Sequence, residues 1–268
     1  MLALRRGATT AAIILIGTFV ITTPFILMAG SNPFSAYAEF LILPLTSRFS
    51  FLEVLVASIP LILTGLSVAF AFRAGYWNIG AEGQLLMGAV AAAGVGMAAG
   101  SQPRFLVLIA VVLAGALAGA LWALLPALLR VKLGIDEVVT TLLLNPVALL
   151  VVTALLNGPW RDSETGFPES DRIAESAQFP VLVSRSRIHL GFLIGLVIAA
   201  ILWFVLARTV SGLRISAIGL SPSAARFAGI DVGKTLLVAA LVSGAIAGIA
   251  GASEVSGIQY RLTGGLSS

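Results

Sequence analysis

Long apolar runs separated by short polar clusters set the rhythm of this 268-residue chain. Runs near the ~20 residues needed to cross a hydrocarbon core recur along its length. They predict spans over 8–29, 51–72, 81–99, 105–129, 135–157, 189–207 and 234–252. The expected fold is all-α: a polytopic helical membrane protein of about seven transmembrane spans forming one domain over 1–268. The first run follows Arg5 and Arg6 but exceeds the ~7–15 residues of a signal h-region, which predicts a retained anchor.

Composition agrees with this reading. With 59% hydrophobic and 10% charged residues, and a mean hydropathy of +1.05, the chain has too few charges to cover a water-soluble domain. It has no cysteine and one histidine, His189, so disulfides, thiolate metal sites and histidine-rich metal centres are not expected. No catalytic residue, metal or cofactor is predicted. An intramembrane hydrolase is set aside because His189 lies at an outer helix end and Ser243 has no base at matching depth. The net charge of +4 reads as topology marking, not nucleic-acid binding.

The charges also orient the chain. With the N-terminus inside, nine basic residues (Arg5, Arg6, Arg73, Arg130, Lys132, Arg208, Arg214, Arg226, Lys234) face the cytoplasm with four acids, net +5. The other seven basic and eight acidic residues face outward, net −1. This asymmetry predicts a multi-pass protein of the cell (plasma or inner) membrane with an external loop at 158–188 and a cytoplasmic loop at 208–233. The mixed charge of the external loop reads as a cap or docking surface. Gly115 with Gly119, Gly244 with Gly248, and Ala247 with Gly251 are spaced to let helix backbones approach closely.

Three polar interruptions carry the candidate chemistry. Residues 71–90, AFRAGYWNIGAEGQLLMGAV, place Asn78, Glu82 and Gln84 among three glycines. One reading is a short cytoplasmic turn, with Arg73 snorkelling and Glu82 favouring the next helix start. The other is a helix broken inside the bundle, exposing backbone to a polar cavity. In GIDEVVTTLLLNPVALL, Asp136 suits an N-cap, and Glu137, Thr141 and Asn145 follow at i, i+4 and i+8 on one face. Asn145 either bonds a neighbouring helix or lines a path, and Pro146 is expected to kink the helix.

In the cytoplasmic loop, Ser221 caps and Pro222 opens a helix of about two turns that ends at Gly229. So short a helix must dock, either on the bilayer through Phe227 or on a cytoplasmic partner. The nearby AGIDVGKT spaces its glycines one residue too closely for a phosphate loop and leads into a membrane span, so this chain is not expected to bind nucleotide.

Together, FRAGYWNIGAEGQLLMGA, GIDEVVTTLLLN and SAARFAGIDVGKTLLVAALVSGAIAGIAGASEVSG resemble the permease subunits of ATP-binding-cassette importers for nucleosides and simple sugars. These are more distant relatives of the ribose and branched-chain amino-acid permeases, and the likeness covers roughly 50–266. The resemblance implies a second permease subunit (homologous or identical), cytoplasmic ABC ATPase subunits that hydrolyse the ATP, and an extracytoplasmic substrate-binding protein. It implies a path for a small polar solute, a nucleoside or simple sugar, with Asn78, Glu82, Gln84, Glu137, Thr141 and Asn145 near it in the bundle. It further implies an ATPase-coupling segment at Ser221, Pro222, Ala225, Arg226, Phe227 and Gly229.

Two positions depart from the family pattern: Ser216 stands where arginine is expected, and Pro146 where an aromatic residue is common. The family's chains continue past GGLSS, so this one is expected to be a fragment, a truncated product or a shortened variant. The rival expectation is a self-sufficient channel or ion-coupled secondary transporter for a small polar solute, using Glu137 and Asn145 in a surround of membrane lipid.

Overall fold

The computed structural model describes residues 2–265, with side chains described at residue 10 and from residue 13 onward. The side chains of the expected topology markers Arg5 and Arg6 therefore lie outside the described residues, as does the chain end from 266. Eleven α-helices are described: α1 Leu2–Met28, α2 Pro33–Leu41, α3 Leu43–Thr46, α4 Arg48–Arg73, α5 Ala81–Ala98, α6 Arg104–Leu133, α7 Glu137–Asn157, α8 Leu190–Arg208, α9 Val210–Leu220, α10 Pro222–Phe227 and α11 Val232–Glu254. A π-helical turn, Val255–Gln259, extends α11, and there is no strand among the described residues.

Six helices are long and apolar enough to span, and a seventh arises if the bent pair Ile13–Met28 and Pro33–Leu41 counts as one. The expected all-α polytopic architecture is what the chain adopts. In lipid nothing but the chain itself satisfies backbone N–H and C=O groups, so each apolar run closes into a helix.

The chain divides into two compact units, one up to Val54 and one from Leu55 onward. In the first, the chain turns by 118° after α1, where Asn32 caps α2 by accepting from Phe34 N at 2.9 Å and Pro33 takes the first helical position. The Tyr37 hydroxyl ties α2 back to α1, donating to Phe19 O at 2.9 Å and lying 2.8 Å from Thr22 Oγ1.

In the second unit α5, α6 and α11 pack on one another, and glycine lets α11 approach both neighbours closely. The two sequence-spaced pairs face each other: Gly115 and Gly119 of α6 meet Gly244 and Gly248 of α11. On its other side α11 presents Gly248 to Gly88 of α5, and Gly251 to the Leu85 backbone. Such contacts replace the hydrophobic drive that lipid does not supply between helices.

The 158–188 segment folds over the helix ends remote from the 74–80 connection. Ser170 N donates to Leu262 O at 2.9 Å, Ile173 N to Tyr260 O at 3.0 Å and Ala174 N to Gly96 O at 3.0 Å. Arg261 bridges Asp162 and Glu169. Hydrogen bonds from the Thr165 and Glu164 backbone hold the Asp162 carboxyl below its ordinary range.

His189 caps α8 from within this region. Its Nδ1 accepts from Gly191 N at 3.1 Å, and its ring is buried against Gly191 and Gly257. Burial lowers its pKa to about 4. The folded state thus favours neutral imidazole, whereas the unfolded chain takes up a proton near the ordinary value of ~6.5. Stability is full above that value and falls as pH drops from ~6.5 toward 4, by up to roughly 3 kcal/mol. Thermal melts in detergent are expected to show this loss, and His189→Gln, which keeps an acceptor but does not titrate, is expected to flatten it.

Candidate functional site

The connection at residues 74–80 is where the polar candidates gather. α4 ends when Gly75 takes a φ of +73° and Tyr76 N reaches back to Ala71 O at 3.1 Å. That geometry closes the last helical turn and asks for glycine. The next residues lack helical partners, yet Ala74, Tyr76 and Asn78 are buried. Their surroundings must therefore supply the missing hydrogen bonds.

The face of α7 predicted from the i, i+4, i+8 spacing supplies them. Glu137 Oε1 accepts from Trp77 N at 3.3 Å, and Thr141 Oγ1 from Ile79 N at 3.2 Å. Asn145 takes two: its Oδ1 accepts from Gly83 N at 3.0 Å, and its Nδ2 donates to Ile79 O at 3.0 Å. The three side chains form a ladder of backbone substitutes along the connection. α7 itself starts at the expected cap, with Asp136 Oδ1 accepting from Val138 N at 2.8 Å, and continues as one helix through Pro146.

A second network holds the other side. Asn78 and Gln84 pair reciprocally, at 2.8 Å and 3.0 Å, and Asn78 Nδ2 also donates to Ser243 Oγ at 2.8 Å. Ser243 and Ser67 join α11 to α4, their hydroxyls 2.9 Å apart. All four side chains are buried. Among the candidates Glu137 and Thr141 are likewise buried, Asn145 is half-buried, and Glu82 is exposed on the first turn of α5.

Three participants were not foreseen in this role, although Ser243 had been weighed as a nucleophile. Arg130 served only as a topology marker, yet its Nε lies 3.0 Å from Glu137 Oε2. Ser67 and Ser243 are small polar residues inside apolar helices that carry other serines and threonines as well. The one signal was Ser243 preceding Gly244, where helix backbones approach most closely.

Both readings of the 71–90 stretch capture part of this geometry. The connection joins two full helices, as a turn would. Its backbone is nevertheless buried and tied to a third helix, as a break inside the bundle requires.

The 208–233 segment holds more structure than predicted. An unforeseen helix, α9, begins where Thr209 Oγ1 accepts from Gly212 N at 3.2 Å. After it, Ser221 accepts from Ala224 N at 3.3 Å and Pro222 opens α10. Gly229, with φ +81°, ends α10, and Ile230 N bonds Ala225 O at 3.0 Å. Ala225 is buried, Arg226 is exposed, and Phe227 is 97% exposed.

Residues 50–263 match the family of branched-chain amino acid transport system permease components. The chain is 35% identical over 240 residues to the glucose ABC transporter permease protein TsgB13 of Haloferax volcanii, covering 86% of this chain and 63% of that one. It is 37% identical over 197 residues to the guanosine ABC transporter permease protein NupP of Bacillus subtilis, covering 73% and 56%. It is 32% identical over 241 residues to the nucleoside ABC transporter permease protein NupB of Lactococcus lactis, covering 87% and 66%. The chain thus spans under two thirds of the length of these relatives. No solved structure matches it.

Proposed function

The chain belongs to the family of branched-chain amino acid transport system permease components, and from that premise we propose that it forms part of the path of an ATP-binding-cassette importer for a nucleoside or simple sugar. It is a multi-pass membrane protein. ATP hydrolysis is assigned to a separate cytoplasmic subunit. A second permease subunit completes the path, and an extracytoplasmic binding protein delivers the solute to the side capped by 158–188. Charge asymmetry favours the N-terminus inside.

One observation carries this reading: α10 is a six-residue helix anchored by Ala225, with Phe227 exposed at its end. A helix so short, carrying a bare aromatic residue beside Arg226, is built to be covered by another protein. Around the 74–80 connection, Asn78, Gln84, Glu137, Thr141 and Asn145 spend their hydrogen bonds on shaping the wall, and Glu82 offers its carboxylate beside it. An ion-coupled carrier has less support, because the acid it would use, Glu137, is committed to Arg130 and to Trp77 N.

Chain solubilised from its native membrane is expected to co-purify with an ATPase subunit. Phe227→Asp is expected to lower the recovered ATPase by about tenfold, the loss of a single interface anchor. If the unaltered chain carries no ATPase, the importer reading fails. If Phe227→Asp and Arg226→Asp both retain it fully, α10 is not the docking point.

A further inference from the structure

α9, which carries the 221–229 arm, meets the end of α4 and the start of the 74–80 connection at a close crossing. A Cβ on Gly219 would stand 2.2 Å from the Arg73 carbonyl oxygen, and one on Gly75 would stand 3.3 Å from Gly219 Cα. Backbone thus rests on backbone with no side chain between. Beside this crossing Arg73 Nε donates to Ser216 Oγ at 3.0 Å. α9 is itself firmly seated: Ile215 and Ile218 are buried, and α10 packs directly against it.

Contacts of this kind are stiff. A side chain absorbs displacement by changing rotamer, but two backbones in contact either move together or separate. Immediately beyond Gly75 lie Trp77, held by Glu137, and Asn78, held by Gln84 and Ser243. A shift at Gly219 therefore arrives within three residues at both hydrogen-bond networks of the connection.

Resting on the importer reading above, we propose that Gly219 and Ser216 are positioning residues, forming the joint through which movement of the 221–229 arm reaches the 74–80 connection. Gly219 transmits the push, and the Ser216 hydroxyl keeps Arg73 in register with it.

The sequence has no cysteine, so a single Trp77→Cys reporter gives a clean readout without knowing the solute. Trp77 is exposed, and its tie to Glu137 runs through the backbone. In inside-out vesicles the labelling rate with an impermeant maleimide is measured with and without ATP plus orthovanadate. With no second change, the rate is expected to differ by about fivefold or more between the two conditions, the lower end of typical couplings between distant sites. Gly219→Ala is expected to abolish the difference while the ATPase still co-purifies, and Ser216→Ala to reduce it by about half.

An undiminished response in Gly219→Ala overturns the joint. If that variant does not fold, Ser216→Ala decides: a reduced response supports the proposal and an unchanged one overturns it. A reporter chain that carries ATPase yet shows no nucleotide response overturns this proposal alone. A chain without any ATPase removes the importer reading and the joint with it.

Discussion

Gly248→Val is expected to leave no correctly folded chain in the membrane. Gly248 sits where three helices converge, and even a Cβ there would lie 2.0 Å from Gly115 O and 3.0 Å from Gly119 Cα. The obstruction is backbone, so no rotamer change relieves it, and α11 would have to leave α6 altogether. On its other face the Gly248 backbone already touches α5, where a Cβ on Gly88 would come within 2.2 Å of Gly248 O. α11 is thus in backbone contact with both neighbours at this one residue.

Overpacking a well-packed core typically costs ~1–3 kcal/mol, and a backbone crossing blocked on both sides belongs above that range. A domain holds only ~5–15 kcal/mol in total, so the valine variant loses most of what stabilises it. Gly248→Ala is expected to survive with a marked fall in Tm. Gly65→Ala in α4, where a Cβ meets nothing within 4 Å, is expected to leave Tm nearly unchanged. Melting of the purified chain in detergent, with size-exclusion profiles, checks the ordering. Equal Tm values for the Gly248 and Gly65 alanine variants would remove the crossing as the organising contact.

Glu137→Ala is expected to loosen the 74–80 connection while leaving the helices in place. The carboxylate has two jobs: it pairs with Arg130 at 3.0 Å and accepts from Trp77 N at 3.3 Å. Its side chain is 4% exposed, that of Arg130 40%. Breaking a fully buried pair costs ~3–5 kcal/mol, but a half-exposed guanidinium regains water, which brings the expected loss to about 2 kcal/mol.

Glu137→Gln is expected to lose less, because its amide oxygen still accepts from Trp77. Hydrogen exchange at residues 76–80 should rise more than tenfold in the alanine variant, since ~1.4 kcal/mol of local stability corresponds to a factor of ten. The double variant Arg130→Ala/Glu137→Ala tests the pairing. If its loss is the sum of the two single losses, the residues are not coupled.

Much of this was legible from residue spacing. Glu137, Thr141 and Asn145 share a face because the helical period puts them there, and Asp136 caps because its side chain competes for free N–H groups. The small-residue pairs announced close helix crossings. Their partners were not announced: that Gly115 and Gly119 meet Gly244 and Gly248 depends on which helices neighbour one another.

α9 was hidden for a related reason. Its sequence, VSGLRISAIGL, has two glycines and three β-branched residues, a weak helix former on its own. It is helical because Ile215 and Ile218 are buried and Thr209 caps it. The 158–188 segment was read as a surface, yet its backbone is tied in part to Ser256, Tyr260 and Leu262, far along the chain, and to Gly96.

The sequence by itself determined the class of the protein: apolar runs of bilayer length must become helices, since lipid offers their backbone no other partner. It also determined the local devices, caps and same-face stripes, whose physics is complete within a few residues. Only the tertiary structure decided how the polar side chains are used. Asn78 could have faced a cavity, and Glu137 could have stood without a cationic partner. Whether a buried polar group is free or committed depends on what packs against it, and beside near neighbours such as Gln84 and Arg130 those partners include groups 60 and 165 residues away.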